Sequence, residues 1–280
     1  MNRIHIVLDS TAHIEDELLQ KHKYLHRVEL KVSIADREWD EDDLSPRALF
    51  AETKKSGVMQ RTSQPPIGDF VTLFQSIAEQ GDECIVIAVS GALSGTVQTA
   101  RAAAQMVDAS KIHVVDSQTA AIGMLRLAET ALALREEGKK AEEILAVLQK
   151  QVKATHTLLL PDSLEYLHRG GRIGGAAALF GTILQIKPVL YLSEGKIAVL
   201  DKVRTRKKAI NRLIEELAQY KELDYIGVVE VEAEEGPQTK ERIMELYPDS
   251  RVSLTSAGSV VASHTGPGAL ALIFQEKIEK

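Results

Sequence analysis

The chain has 280 residues, of which 44% are hydrophobic, and it carries a formal net charge of -6. A chain of this size and composition buries a substantial core, in one large domain or two modest ones. The acidic balance argues against a nucleic-acid partner, because phosphate-backbone binding needs clustered positive charge.

Short apolar runs alternate with longer segments of helical period through the first half of the chain, which is the pattern of an α/β domain. The runs at Ile4 to Leu8, Ile85 to Val89 and Ile112 to Val115 predict strands. Because these strands are continuously apolar, they suit a parallel sheet covered on both faces by helices. The predicted helices are Glu15 to His22, a segment from about Gly68, Ser94 to Val107, Ala120 to Glu137 and Ala141 to Val152.

The pattern changes near Ala154, and we place a domain boundary there. Residues 1–154 are predicted to form the α/β domain, and residues 155–280 a smaller α+β domain. The predicted strands of the second domain are Thr157 to Leu160, Pro188 to Leu192, Ile197 to Leu200, Tyr225 to Val231 and Arg251 to Thr255. Its predicted helices are Thr205 to Gln219 and Pro237 to Leu246.

The sequence predicts a cytoplasmic protein. Its first residues lack the pattern of a secretory signal, and no apolar stretch approaches the ~18 residues of a transmembrane helix. Transient contact with a membrane stays open. The single cysteine, Cys84, lies in a predicted buried strand, so we expect an inert thiol.

The loop Ser90-Gly91-Ala92-Leu93-Ser94-Gly95-Thr96 is a candidate anion site, because it follows a predicted strand and opens a predicted helix. Backbone N–H groups at a helix N-terminus attract anions, Gly95 allows close approach, and Ser94 and Thr96 add hydroxyl groups. The loop lacks the Walker, dinucleotide and nucleophile-elbow motifs. Helix capping without any ligand is the alternative.

Two further loops of the first domain carry hydroxyl groups. Asp9, Ser10 and Thr11 follow the first predicted strand, where ligands gather in open α/β sheets. Thr62 and Ser63 precede two prolines, which stiffen the loop. Ordinary caps and turns explain both loops equally well.

The second domain adds three candidate features. Arg169 and Arg172 stand among four glycines, which suits binding of phosphate or carboxylate but also suits a tight crossing between domains. The segment Ala176 to Leu184 is apolar nearly all round, which predicts a helix in the core or along an apolar cavity. His264 precedes Gly266-Pro267-Gly268, and such a constrained turn aims the ring, although a structural role is the alternative.

Seven short motifs, taken together, resemble the DegV family, and they occur in the family's order from residue 9 to residue 268. They are Asp9-Ser10-Thr11, Thr62-Ser63-Gln64-Pro65, Ser94-Gly95-Thr96, Asp116-Ser117, Gly171-Arg172-Ile173, Ile186-Lys187-Pro188 and His264-Thr265-Gly266-Pro267-Gly268. The resemblance implies a two-domain α/β fold that holds one long-chain fatty acid in a tunnel between the domains. It also implies that the chain is the binding subunit of a fatty acid kinase, which presents the carboxylate to a separate dihydroxyacetone-kinase-like subunit that uses ATP.

The resemblance places the fatty-acid carboxylate at Thr62 and the Ser94-Gly95 loop, with His264 close by, and we include Ser63 beside Thr62. The groups expected to support this site are Asp9, Ser10 and Thr96. The residues expected to line the acyl tunnel are Leu179, Phe180, Ile183 and Leu184.

We expect no catalysis by the chain alone and no cofactor or bound metal. It has no nucleotide loop, and its eight histidines show no metal-binding motif. Two alternatives stay open: an esterase with Ser94 as nucleophile, His264 as base and Asp9 or Asp116 as orienting group, and a metabolite-binding regulator.

A basic segment predicts where the kinase subunit docks. Arg204, Arg206 and Lys207 crowd one predicted loop and helix, and Arg172 is expected to join them. Complementary charge steers association, so an acidic patch on the kinase subunit suits this surface. A solvated helix face is the alternative.

Overall fold

The computed structural model describes residues 3–14, 16–181 and 186–278, and the strands of these residues form three sheets. The strands are β1 (Ile4–Asp9), β2 (Leu25–Val28), β3 (Lys31–Ile34), β4 (Arg37–Asp40), β5 (Arg61–Ser63), β6 (Glu83–Ala88), β7 (Ile112–Asp116), β8 (Thr155–Leu160), β9 (Lys187–Ser193), β10 (Lys196–Val203), β11 (Leu223–Val231), β12 (Arg251–Ser256) and β13 (Ala269–Glu276). The α-helices are α1 (Asp16–Lys21), α2 (Pro46–Ser56), α3 (Ile67–Ala78), α4 (Thr96–Val107), α5 (Ile122–Glu136), α6 (Ala141–Lys153), α7 (Glu165–Arg169), α8 (Arg206–Leu217), α9 (Gly236–Leu246) and α10 (Ser259–Thr265). Short 3-10 helices cover Ser10–Ala12, Glu41–Asp43 and Gly174–Leu179.

The first sheet is parallel and four-stranded, in the order β2-β1-β6-β7. Successive side chains of a strand point to opposite faces, and both faces of β1 are buried. Ile6 and Leu8 pack against α5 and α6. Val7 packs against Phe70 and Phe74 of α3. The predicted parallel sheet flanked by helices is therefore confirmed.

The second sheet is mixed and six-stranded, in the order β10-β9-β8-β13-β11-β12. Its central strand, β13, pairs antiparallel with β8 and β11. Leu272 and Phe274 of β13 pack under α8 and α9, while Ile273 points to the opposite face. Burying each such side chain contributes about 1.5–3 kcal/mol, which stabilises the packing of α8 and α9 on one face of this sheet. The opposite face of the sheet is not covered by these two helices.

The third sheet has three antiparallel strands, in the order β4-β3-β5, and was not predicted from the sequence. Val32 and Ile34 of β3 share a core with Leu49 of α2 and with Val260 and Ala262 of α10. Residues of the first half of the chain therefore pack on a helix of the second half. The change from the first sheet to the second falls between α6 and β8, and the boundary at residue 154 stays a prediction.

The segment predicted as a helix from Ala176 to Leu184 is different in the structure. Its beginning forms the 3-10 helix Gly174–Leu179, and the chain then adopts a left-handed conformation at Gly181, with φ of 78°. Glycine lowers helix stability, so a glycine pair at the start and Gly181 after it disfavour a continuous α-helix. Ile183 and Leu184 lie outside the described residues. None of the helices in the described ranges has the length and apolar character needed to cross a bilayer.

Candidate functional site

A cavity of about 340 Å³ lies where the three sheets meet. Thr11, Val89 and Ala120 reach it from the ends of parallel strands in the first sheet. Thr62 of β5 and Ile273 of β13 border it from the other two sheets. Ligand sites of small molecules have volumes of about 300–1,000 Å³, so this cavity is large enough for one.

Most of the cavity wall is apolar, and the second sheet supplies much of it. The side chains come from the face of that sheet that α8 and α9 leave uncovered, joined by residues that precede β8 in the chain. Six of the apolar lining residues are Leu30, Val89, Leu159, Leu192, Val229 and Ile273. A wall of this kind favours a hydrocarbon ligand, because burying each methylene contributes about 0.8 kcal/mol.

Polar groups from distant parts of the sequence also line the cavity. They are Thr62, Ser63, Gln64, Ser94, Arg172 and His264. A hydrogen bond of 2.8 Å joins the Thr62 hydroxyl to Nε2 of His264. Ser63 and Gln64 are exposed to solvent, so this side of the cavity opens to the protein surface.

His264 lies in the last turn of α10, rather than on the constrained turn that the sequence predicted. Burial, followed by the positive charge of Arg172, lowers the pKa of His264 to about 4. The ring is therefore neutral near pH 7, and one of its two nitrogens accepts while the other donates. Among the described residues, Nδ1 of His264 has no hydrogen-bond partner. Gly170 lies so close that a Cβ atom there would be 2.3 Å from this nitrogen.

Arg172 is half-buried and lines the cavity, and its part in docking a kinase subunit stays a prediction. Its Nε donates to the carbonyl of Leu93 over 2.9 Å, and its Nη1 donates to the carbonyl of Gly170 over 2.7 Å. These bonds hold the positively charged guanidinium group beside the hydroxyl groups. The sequence could not reveal the direction of this side chain.

The Ser94 loop combines capping with access to the cavity. The hydroxyl groups of Ser94 and Thr96 are 2.9 Å apart, and the backbone N–H of Thr96 donates to Ser94 Oγ over 3.3 Å. Ser94 lines the cavity, whereas Thr96 is buried behind it. Gln64 closes over the loop and donates to the hydroxyl of Thr99. A Cβ atom at Gly95 would collide with the Gln64 amide, so glycine permits this close approach.

Asp9 and Ser10 brace the cavity loops from behind. Asp9 Oδ2 accepts the N–H of Val89 over 2.7 Å, and Asp9 Oδ1 accepts the N–H of Thr11 over 3.1 Å. Burial raises the pKa of Asp9 to about 6. The hydroxyl of Ser10 donates to Glu41 over 2.6 Å and accepts the N–H of Leu30 over 2.9 Å. Both residues thus position backbone rather than face the cavity.

The described residues do not assemble the catalytic triad that an esterase requires. Nε2 of His264 bonds to Thr62, whereas the Ser94 hydroxyl bonds to Thr96. Asp9 accepts backbone N–H groups and Asp116 accepts those of Gly91 and Gln118, so neither carboxylate orients the imidazole. A serine nucleophile needs a base in hydrogen-bond contact and an orienting group behind that base.

Residues 3–277 match the family model described as "Uncharacterised protein, DegV family". The chain belongs to the DegV family. Protein DegV of Bacillus subtilis is 33% identical over 276 residues, which cover 96% of this chain and 98% of that protein. Several members of this family with solved structures are described as fatty acid binding proteins.

Two solved DegV family structures share this fold. One is a DegV family protein from Thermus thermophilus described by its fatty acid binding, with 30% identity and a TM-score of 0.90, covering 98% of this chain and 100% of that chain. The other is DegV, a fatty acid binding protein from Bacillus subtilis, with 32% identity and a TM-score of 0.88, covering 99% of this chain and 100% of that chain.

In this DegV family member, Leu179 and Phe180 border a different cavity from the one described above. That second cavity has a volume of about 540 Å³ and includes Lys187 and Arg204. The Phe180 ring is exposed and stacks on His168 with 3.8 Å between the ring centres. The described lining of the central cavity includes neither Leu179 nor Phe180. Leu179 is buried in a core with Leu167 and Ile197, which do line that cavity, whereas Phe180 is exposed.

The predicted docking residues differ in their exposure to solvent and in their contacts within the chain. Arg204 and Lys207 are exposed. Arg206 is engaged within the chain: its Nε donates to Glu235 over 3.1 Å, and its Nη2 donates to the carbonyl of Gly268 over 2.6 Å. Arg206 therefore ties α8 to the turn that follows α10.

Proposed function

We propose that this DegV family member binds one long-chain fatty acid, with the acyl chain in the central cavity and the carboxylate at Thr62, Ser94 and His264. One observation carries the proposal: a mostly apolar cavity in which the hydrogen-bonded Thr62–His264 pair, Ser94 and Arg172 all face the same space. The fatty acid binding of solved family members supports the same ligand class.

The chemistry of the cavity suits both parts of such a ligand. An acyl chain gains about 0.8 kcal/mol per buried methylene, but a carboxylate without partners loses far more on leaving water. Hydroxyl groups and an imidazole N–H offset that loss, since they donate hydrogen bonds to an anion. The charge of Arg172 adds a longer-range attraction.

We further propose that the chain presents the carboxylate to a separate kinase subunit rather than acting on it. Ser63 and Gln64 are exposed beside the polar groups of the cavity, so a bound carboxylate there would be within reach of a partner protein. Arg204 and Lys207 offer positive charge that suits an acidic partner surface. Because the kinase subunit would use ATP, this proposal implies that the protein works in the cytoplasm.

Native mass spectrometry of the protein purified from a bacterial host tests the ligand class. We expect an adduct with the mass of a fatty acid, which also reports chain length, and we expect added oleate to exchange with it. A protein that is reproducibly empty and takes up no oleate would overturn the proposal. A small phosphorylated adduct would instead favour a metabolite-binding regulator.

A separate experiment tests presentation to a kinase. We expect the double charge reversal Arg204→Glu with Lys207→Glu to reduce kinase-dependent acyl-phosphate formation while leaving oleate affinity unchanged. Reversal of the exposed Lys54 on α2 is the matched control. Equal activity of all three proteins would rule out docking at this surface.

A further inference from the structure

Helix α10 determines a large part of the cavity although it has only seven residues. It contributes Val260, Val261, His264 and Thr265 to the lining. At a rise of about 1.5 Å per residue this helix is only about 10 Å long, so a displacement of its first turn carries His264 with it. Whatever holds α10 therefore also sets the place of His264.

The first turn of α10 is held by Glu41, which belongs to the acidic run between β4 and α2. Glu41 Oε1 accepts the N–H of Val260 over 3.1 Å, and the Glu41 backbone carbonyl accepts the hydroxyl of Ser259 over 3.0 Å. Its other carboxyl oxygen, Oε2, accepts from Ser10 over 2.6 Å. One side chain thus joins the loop after β1 to the start of the helix that carries His264.

The remainder of α10 is held by neighbouring residues of the same region. The Nε2 of Gln60 donates to the carbonyl of Ser263 over 3.0 Å. Thr62 then contacts His264 at the end of the helix. Glu41, Gln60 and Thr62 therefore fix α10 at its first turn, near its end and at its functional side chain.

A glutamate at the buried position 41 is unfavourable for the stability of the fold. The side chain is only 2% exposed, and its hydrogen-bond partners are a hydroxyl group and a backbone N–H rather than a cation. A buried carboxyl group without a cation destabilises the fold relative to a neutral side chain of the same shape. Gly258 leaves room for it, since a Cβ atom there would lie 2.4 Å from Glu41 Oε1.

We propose that Glu41 is a positioning residue for the head-group site: it sets the place of α10 and therefore the contact of His264 with Thr62 and with the ligand. This inference rests on the proposed binding of a fatty acid. Glu41 does not line the central cavity, so its effect on binding reaches the ligand through α10.

The test compares Glu41→Ala with Glu41→Gln and with the control Asp43→Asn. Asp43 is exposed in the same 3-10 turn, so its substitution removes a carboxylate without touching α10. Affinity is measured by displacement of a fluorescent fatty acid at a temperature at which circular dichroism shows every variant folded. The position of the His264 ring is followed by its ¹H–¹⁵N NMR signals in the absence of ligand.

We expect Glu41→Ala to weaken binding about tenfold, the equivalent of 1.4 kcal/mol, and to shift the His264 ring signals. Glu41→Gln keeps an acceptor for Val260, so it should restore both properties, and Asp43→Asn should match the unmodified protein. Unchanged affinity in Glu41→Ala, or weaker binding with unchanged His264 signals, would overturn the inference.

Two further comparisons keep the outcomes distinct. If Glu41→Ala does not fold, Glu41→Asp replaces it, because the shorter side chain withdraws the carboxyl group from Val260. Affinity and His264 ring signals equal to those of the unmodified protein would then overturn the inference. If the unmodified protein binds no fatty acid, the proposed function fails, while the His264 signals still report whether Glu41 positions α10.

Discussion

The hydroxyl of Thr62 lies 2.8 Å from Nε2 of His264, although 202 residues separate the two positions in the chain. This hydrogen bond joins the third sheet to α10 at the edge of the central cavity. It brings together groups that come from opposite sides of the predicted domain boundary. A carboxylate bound beside this pair would contact both halves of the chain at once.

Replacing Thr62 with alanine should weaken fatty-acid binding and leave the fold intact. A hydrogen bond to a charged group contributes about 1.5–3 kcal/mol, which corresponds to a loss of affinity of about 10- to 150-fold. Isothermal titration with a medium-chain fatty acid measures the change. Thr72→Ala, at an exposed position of α3, is the matched control. Equal affinity in both variants would place the carboxylate elsewhere.

Replacing Gly170 with alanine should displace the His264 ring. The new Cβ atom would lie 2.3 Å from Nδ1 of His264 and 3.0 Å from the carbonyl of Tyr166, so the ring or the backbone must move. Forcing extra atoms into a packed site costs about 1–3 kcal/mol of stability, and we expect weaker fatty-acid binding as well.

The matched control for Gly170→Ala is Gly68→Ala on α3, where no atom lies within 4 Å of the new Cβ. Alanine stabilises a helix by up to about 1 kcal/mol relative to glycine, so the control should lose neither stability nor affinity. Urea unfolding and ligand titration distinguish the two variants. Identical stability and affinity in the two variants would mean that the close packing of Gly170 against His264 affects neither property.

Fatty-acid binding should be coupled to proton uptake by His264. Burial and Arg172 lower the pKa of His264 to about 4 in the free protein, and a bound carboxylate favours the protonated ring. Proton uptake should therefore occur above about pH 4, where the free protein holds a neutral ring, and affinity should rise as the pH falls toward that value. Calorimetry in two buffers of different ionisation enthalpy measures the protons taken up. If His264→Gln takes up as many protons as the unmodified protein, the proton belongs to the ligand.

Three strands of the parallel sheet, β1, β6 and β7, were predictable because they are mostly apolar runs, whereas the edge strand β2, with its polar central residues, was not. In β1 all six residues are buried, and such runs identify strands whatever their neighbours in the fold. The third sheet was not predictable, because β3 and β4 have four residues each and include several charged or exposed positions. Their stability comes from packing against α10, which lies about two hundred residues away in sequence and leaves no local pattern.

The candidate site was predictable in part. Thr62, Ser63, Ser94, Gly95 and His264 all line the central cavity, and their contact with a fatty acid stays a prediction. Sequence reasoning gave Arg172 both an anion-binding and a docking role, but it did not reveal that the side chain lines the cavity, because spacing does not give the direction of a side chain. It missed Glu41, since the run Asp40-Glu41-Asp42-Asp43 resembles an ordinary solvated loop and only tertiary contacts show that Glu41 is buried.

The burial of Glu41 should make stability fall as the pH rises. Burial raises the pKa of Glu41 to about 8 from a usual value of 4.5. Between these values the folded chain keeps a proton that the unfolded chain releases, so unfolding becomes more favourable with each pH unit. Below pH 4.5 both states hold the proton, and above pH 8 both have lost it. The contribution of Glu41 to the free energy of unfolding is therefore largest at low pH and is lost by about pH 8.

Glu41→Gln removes this dependence, because its amide does not titrate while its carbonyl still accepts from Val260. Each pKa unit corresponds to about 1.4 kcal/mol, so the stability of Glu41→Gln relative to the unmodified protein should rise by up to about 5 kcal/mol between pH 4.5 and pH 8. Urea unfolding at several pH values measures this difference, and Asp43→Asn, which is exposed, should show none. Parallel curves for Glu41→Gln and the unmodified protein would mean that Glu41 is already ionised in the folded chain, because an ionised carboxylate contributes no proton linkage in this range.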